Sequence, residues 1–113
     1  MNALGTVPGV SLGPAATPLQ DAFADAGELL KALSAPVRVA IVTHLHESGP
    51  MCVHELVDVL KVPQPLVSQH LRILRSAHIV AGRRQGREVF YVLVDQHVAH
   101  IVADAVAHVQ EER

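Results

Sequence analysis

Metal-ligating side chains are concentrated in DQHVAHIVADAVAHVQEE, residues 95–112 of this 113-residue chain. Apolar residues separate them at helical spacing, and an α-helix turns about 100° per residue. Five polar side chains then fall within roughly 80° of one another. They are His97, His100, Asp104, His108 and Glu111. The segment predicts a helix with a face that either binds metal or is simply solvated.

An apolar face lies about 120° further round the same predicted helix. Its members are Val98, Ile101, Val102, Ala105 and Val109. A face of this kind packs against another element or another chain. Asp95 stands where its carboxylate can cap the first turn, a structural role that needs no metal.

The composition limits the class of protein. The length suits one domain with a modest core, which a partner subunit would enlarge. Half of the residues are hydrophobic and only 3% are aromatic, which favours packed helices. A single cysteine excludes an internal disulfide and fits a reducing compartment. No apolar run reaches the length of a membrane span, so we expect a soluble protein without membrane association, and the single cysteine favours the cytoplasm.

Residues 1–18 hold three glycines, three prolines and no charged residue. They lack the basic start and the unbroken apolar run of a secretory signal. We therefore expect a flexible N-terminal tail over residues 1–18 and one folded domain over residues 19–112.

Charge is unevenly placed, although the formal net charge is only -2. No acidic residue occurs between Asp58 and Glu88. The basic residues of this interval are Lys61, Arg72, Arg75, Arg83, Arg84 and Arg87. A basic segment in an acidic chain is typical of a nucleic-acid surface, and a solvated basic face is the alternative.

The order of the predicted elements is that of a winged helix. Helical patterns cover residues 18–33, 34–49, 52–60 and 65–77; strand-like runs at 78–84 and 87–94 flank a turn; a last helix covers 95–111. Ser34 is the expected N-cap of the second helix, with Pro36 in its first turn. The fold class is therefore mainly α with a small β-hairpin, a winged helix-turn-helix.

The fourth helix is the candidate reader of DNA. If it buries Val67, Leu71 and Leu74, its first two turns present polar residues where a recognition helix enters the major groove. Glutamine pairs with adenine and arginine with guanine, while arginines at the hairpin tip suit phosphates. The candidate DNA-binding residues are Gln64, Pro65, Ser68, Gln69, Arg72, Arg83, Arg84 and Arg87.

Four segments, APVRVAIVTHL, CVHELVDVL, PLVSQHLRILR and GREVFYVLVDQHVAHIV, resemble the ArsR/SmtB family of bacterial metal-sensing repressors. The resemblance covers about residues 24–112 and implies a winged-helix homodimer formed through the N- and C-terminal helices. SmtB-like zinc sensors carry Asp-x-His, ten further residues, then His-x-x-Glu or His-x-x-His on the last helix. Asp95, His97, His108 and Glu111 match this pattern. The resemblance thus implies Zn(II) as a regulatory ligand at these four residues.

His97 and His108 are 11 residues apart, roughly 16 Å along a helix. Zinc holds each nitrogen at about 2.0 to 2.1 Å, so the two histidines cannot share one ion within a chain. In an antiparallel pair of helices, Asp95 and His97 of one chain would meet His108 and Glu111 of the other. Two equivalent four-ligand sites per dimer would result.

Other metal sites stay open at this point. Asp104, His108 and Glu111 could hold an ion from one helix, with His100 assisting. Some relatives also bind soft metals through a motif like Cys-Val-Cys at the start of the third helix, and this chain has CVH there.

The CVH motif supplies half of that second site. Cys52 is then either a small buried residue or part of a weak site with His54 and with His44 or His46. Pro65 is another departure, because relatives usually carry serine there, and it removes a possible DNA contact.

The resemblance implies that the apo dimer binds double-stranded operator DNA and that zinc releases it, derepressing metal-homeostasis genes. A winged-helix repressor that responds to nickel, cobalt or no metal is the alternative. We expect neither an enzyme nor a small-molecule substrate. Cys52 and His54 would face apart on a helix, which disfavours an activated thiol.

Overall fold

The computed structural model of the chain describes residues 18–111. The elements are α1 Pro18–Ala32, α2 Pro36–Ser48, β1 Met51–Cys52, α3 Val53–Leu60, α4 Gln64–Ser76, β2 Val80–Gln85, β3 Glu88–Leu93 and α5 Gln96–Glu111. The predicted winged helix-turn-helix order is confirmed, with one strand added. Of the expected tail only Pro18 lies within the described residues, and residue 112 lies outside them.

The chain divides into two compact units, the first ending at Leu30 and the second beginning at Lys31. In the first unit, α1 carries Asp21 in its first turn, where a carboxylate interacts favourably with the helix dipole. Phe23 and Leu30 are both exposed on this helix. Two large apolar side chains of α1 therefore lie at the surface.

Helix α2 starts one residue later than the capping pattern predicts. Ala35 occupies the N-cap position with extended backbone and makes no side-chain bond to the helix. The prediction of Ser34 as N-cap is wrong, because its Oγ donates instead to the carbonyl oxygen of Lys31 at 2.7 Å. The helix ends at Gly49, where φ is +78° and the N–H bonds to the carbonyl oxygen of Leu45.

The wing is a three-stranded antiparallel sheet in the order β1-β3-β2 rather than an isolated hairpin. Gln85 pairs with Glu88 around the turn at Gly86 and Arg87, and Gly86 adopts a positive φ of 64°. On the other side of β3, Cys52 pairs with Phe90. A strand of two residues shows no alternation in sequence, so β1 emerges only from the tertiary pairing.

The core lies between α2, the two helices of the helix-turn-helix and the start of the sheet. Its fully buried side chains are Ile41, Val42, Leu56, Val67, Leu71, Leu74 and Ile79. The predicted burial of one face of α4 is therefore confirmed. Burying that face turns the opposite face of α4 toward solvent, which is what a DNA-reading helix requires.

Helix α4 ends in a Schellman motif that sets the direction of the wing. The N–H of Ile79 bonds to the carbonyl oxygen of Leu74 at 2.9 Å, and the N–H of His78 bonds to that of Arg75 at 3.0 Å. His78 adopts the left-handed conformation, with φ of 60°, at a position where glycine is usual. Leu74 and Ile79 are both buried, so the turn is anchored in the core.

Helix α5 packs on α2 with part of its apolar face. Val98 and Val102 are buried, whereas Ile101 and Val109 remain exposed. The apolar face predicted as a single stripe is thus divided between intrachain packing and solvent. Within residues 18–111, none of the helices combines the length and the apolar character that spanning a membrane requires.

Candidate nucleic-acid interface and metal-binding residues

The exposed side of α4 carries the predicted base-reading residues. Gln64, Pro65, Gln69 and Arg72 are exposed, and Ser68 is half-buried. Pro65 lies in the first turn of the helix, where its missing N–H leaves no helical bond unmade. The first two turns of α4 therefore present amide groups outward and the third turn presents the guanidinium of Arg72, the groups that recognise base edges.

The three wing arginines are exposed but do not face the same way. Arg83 pairs with Phe90 across the ribbon, and Arg84 pairs with Val89. Because side chains alternate along a strand, Arg83 and Arg84 lie on opposite faces of the sheet. Arg87 is in the turn itself. Only Arg84 shares its face with Tyr91, the residue that pairs with Gly82 beside α4.

A groove of about 430 Å³ lies between α4 and the sheet. Its lining residues are Ser68, Arg72, Arg75, Ser76 and Tyr91. Guanidinium and hydroxyl groups are the donors that bind phosphate oxygens. The sheet comes close to α4 at Gly82, where a Cβ would lie 3.0 Å from Cγ1 of Val89 and 4.0 Å from Cζ of Arg75, so a larger residue would require the Val89 side chain to shift.

Three groove residues are missing from the sequence-based list of DNA-binding candidates. Arg75 belongs to the basic interval, but its position relative to the sheet depends on how α4 meets β2. Ser76 and Tyr91 carry no charge signal at all. Tyr91 was predictable only as a strand residue, since its place beside α4 follows from the register of β3.

The ligand candidates of α5 lie at the two ends of that helix. Oδ1 of Asp95 accepts hydrogen bonds from the backbone N–H groups of His97 at 2.9 Å and Val98 at 3.4 Å, so its predicted capping role is confirmed. Nδ1 of His97 lies 3.7 Å from the same oxygen. His108 and Glu111 are exposed in the last turns. One chain therefore brings Asp95 and His97 together but places them far from His108 and Glu111.

Among residues 18–111, one group of three or more histidine, cysteine or acidic side chains has all its ligand atoms within 4.8 Å of one another. That group is Cys52, His54 and Glu88. The ligand atoms of Asp104, His108 and Glu111, the alternative site on one helix, do not all lie within 4.8 Å of one another. Neither His44 nor His46 belongs to the group; the ring of His46 lies 6.4 Å from that of His100 instead.

Cys52 and His54 do not face apart. Sγ of Cys52 lies 3.2 Å from Nδ1 of His54, since Cys52 is the N-cap of α3 rather than a residue within it. The thiol also donates to Oε1 of Glu55 at 3.3 Å. Burial raises the pKa of the Cys52 thiol, and the carboxylates of Glu55 and Glu88 add to the increase. The thiol is therefore not activated as a nucleophile.

The carboxylate of Glu55 is held in place by the start of α3. Its Oε1 accepts a hydrogen bond from the backbone N–H of Cys52 at 3.0 Å. That bond holds the pKa of Glu55 below its usual range. Glu55 is therefore ionised at neutral pH, and its carboxylate accepts the hydrogen bond that the Cys52 thiol donates.

An exposed polar helix of a helix-turn-helix, set beside a basic wing, defines a winged-helix DNA-binding protein. A family model described as "Bacterial regulatory protein, arsR family" matches residues 35–81. The HTH-type transcriptional repressor SmtB of Mycobacterium tuberculosis is 63% identical over 97 residues, which are 86% of this chain and 71% of that protein. The chain belongs to the ArsR family.

A further relative supports this assignment, and a solved structure supports the fold alone. A cadmium resistance transcriptional regulatory protein CadC homolog of Staphylococcus aureus is 34% identical over 87 residues, 77% of this chain and 72% of that protein. The homodimeric winged helix-turn-helix domain of a possible ArsR-family regulator from Mycobacterium bovis superposes with a TM-score of 0.75 at 21% identity. The superposition covers 88% of the present chain and 92% of the Mycobacterium bovis domain. The protein is a transcription regulator rather than an enzyme, as predicted.

Proposed function

We propose that the protein is a cytoplasmic, zinc-responsive repressor whose apo homodimer binds operator DNA and releases it when Zn(II) binds at α5. The observation that carries this proposal is the placement of its ligands. Asp95 and His97 lie at one end of α5, and His108 and Glu111 lie at the other, all exposed. A single chain cannot close a site from both ends, whereas an antiparallel pair can.

The exposed apolar residues of α5 support a dimer at this helix. Ile101 and Val109 remain in solvent although Val98 and Val102 are buried. A second copy of α5 would cover the exposed pair and, about a two-fold axis, bring each Asp95 end to a partner's Glu111 end. Phe23 and Leu30 of α1 offer a second apolar surface of the same kind.

The donor set favours zinc as the ion. Two imidazoles and two carboxylates per site are nitrogen and oxygen ligands that complete a tetrahedron without an open position. A closed site suits sensing, because it leaves no position for a substrate. The name of the Staphylococcus aureus relative, a cadmium resistance regulator, adds support for a metal response of some kind.

Coupling between metal and DNA follows from the dimer geometry. Zinc crosslinking two α5 helices would favour one relative orientation of the two α4 helices, and DNA would favour another. Each ligand then lowers the affinity for the other by the same factor. The regulated genes in this proposal are those of metal homeostasis.

The test is a fluorescence anisotropy titration with DNA from upstream of the protein's own gene. The salt concentration is kept fixed, because phosphate contacts make the affinity salt-dependent. We expect zinc to raise the Kd by about fivefold or more and a chelator to restore it. His97→Ala and His108→Ala should bind DNA normally and lose the response. A response to nickel or cobalt but not to zinc would show that the regulatory ion is not zinc. An equal Kd for DNA with each metal and with chelator would refute the metal switch.

A further inference from the structure

The wing strand and the start of α3 bring three different metal ligands together. Nδ1 of His54 lies 3.2 Å from Sγ of Cys52 and 3.3 Å from Oε1 of Glu88. These ligand atoms come from three places in the chain: the N-cap of α3, its second residue, and the first residue of β3. The pairing of Cys52 with Phe90 holds the two segments in register.

The distances from Nδ1 of His54 to the other two ligand atoms are close to those between ligands around one ion, and all three atoms lie within 4.8 Å of one another. Zinc binds sulfur at about 2.3 Å and nitrogen or oxygen at about 2.0 to 2.2 Å, so neighbouring ligands in a tetrahedron lie about 3.4 to 3.6 Å apart. The two observed distances are within a few tenths of an ångström of that range. A small movement of the exposed side chains would therefore admit an ion.

Access and charge are also suitable. The side chains of His54 and Glu88 are 68% and 48% exposed, so an ion can reach Nδ1 and the carboxylate from solvent, while Cys52 closes the inner side. The Cys52 thiol would release its proton to solvent as the bond between Sγ and the metal forms, and the resulting thiolate and the Glu88 carboxylate would together neutralise a divalent cation. Sulfur, nitrogen and oxygen together suit zinc or cadmium better than the hard cations magnesium and calcium.

We propose that Cys52, His54 and Glu88 form a second, intrachain site for a thiophilic divalent cation that ties the wing strand β3 to the start of α3. It is independent of the α5 ligands. It also differs from the paired-cysteine site of some relatives, because its third ligand comes from the wing. The ion would hold the wing, whose tip carries Arg84 and Arg87, in one position relative to the helix-turn-helix.

The test is a Cd(II) titration followed by thiolate-to-metal charge-transfer absorption in the ultraviolet. Because the chain has one cysteine, any such band reports Cys52 alone. A His97→Ala, His108→Ala double variant is used, so failure of the α5 proposal cannot affect the result. We expect a band that saturates at one ion per chain and that Cys52→Ser removes.

The wing ligand is tested by Glu88→Gln, which keeps the size of an exposed side chain. Glu88→Gln and His54→Ala should each weaken Cd(II) binding at least about tenfold. Asp58→Asn, an exposed carboxylate of α3 outside the cluster, should leave it unchanged. Far-ultraviolet circular dichroism checks that each variant is folded.

Three results would overturn the proposal. One is the absence of a band in the folded double variant. Another is saturation at one ion per two chains, which would indicate thiolates from two molecules. The last is a Glu88→Gln affinity equal to that of the parent, which would mean that the carboxylate only accepts a hydrogen bond from His54.

Discussion

Oδ1 of Asp95 lies 2.9 Å from the backbone nitrogen of His97 and 3.7 Å from Nδ1 of the same residue. One carboxylate therefore both caps α5 and stands beside the imidazole proposed to bind zinc. The cap fixes the first turn, so the two candidate ligands are held together before any ion arrives. Preorganisation of this kind lowers the entropy lost on binding.

The two roles of Asp95 can be separated by mutation. Asparagine caps a helix about as well as aspartate but has no negative charge. Asp95→Asn should thus change the free energy of unfolding by no more than a few tenths of a kcal/mol and weaken zinc binding about tenfold or more. Urea denaturation with chelator present and zinc competition titration measure the two effects.

Asp95→Ala is the matched comparison for the cap. It should lose about 1 kcal/mol of stability in addition to zinc affinity, because the N–H groups of the first turn lose their acceptor. If Asp95→Asn binds zinc as tightly as the unmodified protein, the carboxylate is a cap and not a ligand.

Mixed dimers distinguish sites shared between chains from sites within one chain. In a dimer of one His97→Ala chain and one His108→Ala chain, one proposed site loses both histidines and the other keeps both. Such a dimer should bind one zinc ion, whereas each homodimeric variant should bind none tightly. A Glu88→Gln background removes the second proposed site from the count.

The measurement uses two affinity tags to isolate the mixed dimer, followed by metal analysis after exchange into metal-free buffer. Zinc retained by the His97→Ala homodimer would instead support a site made of Asp104, His108 and Glu111 in one chain. No zinc in the mixed dimer would exclude the antiparallel arrangement.

Sequence reasoning succeeds where the information is local and fails where it depends on tertiary pairing. The spacing of Val67, Leu71 and Leu74 determines which side of α4 is buried, so the DNA-facing side could be predicted. The proximity of Cys52 to Glu88 could not, because it requires β1 to pair with β3. The error about Cys52 and His54 has the same origin, since it assumed that both lie within a helix.

The groove beside α4 predicts that Arg75 contacts DNA, although the sequence pattern of α4 did not identify this residue as a DNA-binding candidate. Arg75→Ala should weaken binding to specific and unrelated DNA alike and should reduce the slope of log K against log salt by about 1. Gln69→Ala, on the exposed face of α4, should weaken specific DNA only. Anisotropy titrations at several salt concentrations compare them. An unchanged salt slope for Arg75→Ala would place that guanidinium outside the interface.

The left-handed residue at the end of α4 offers a stabilising mutation. A non-glycine residue in this conformation costs roughly 1 to 2 kcal/mol, and His78 is exposed, so its side chain buries little. His78→Gly should raise the free energy of unfolding by about 1 kcal/mol, measured by urea denaturation. His78→Ala keeps a Cβ and should show no such gain. Equal stability of the two variants would mean that the backbone here is not strained.

The last prediction concerns acid stability and His70, a residue of α4. Within residues 18–111, the buried side-chain nitrogens that lack a hydrogen-bond partner are Nδ1 of His70 and Nε of Arg38. Burial lowers the pKa of His70, and the positive charge of Arg38 adds to the effect. The unfolded chain, with a histidine pKa of about 6.5, therefore binds a proton at a higher pH than the folded chain does.

It follows that the free energy of unfolding should fall as pH drops below about 6.5, until the folded pKa of His70 is reached. His70→Gln removes this proton and should make the pH dependence shallower between about pH 5 and 7. His46→Gln is the control, at an exposed position of α2. It should not change the part of the pH dependence of the free energy of unfolding that comes from His70. Urea denaturation at several pH values, with chelator present, decides the matter. If His70→Gln has the same slope as the unmodified protein, the acid sensitivity has another source.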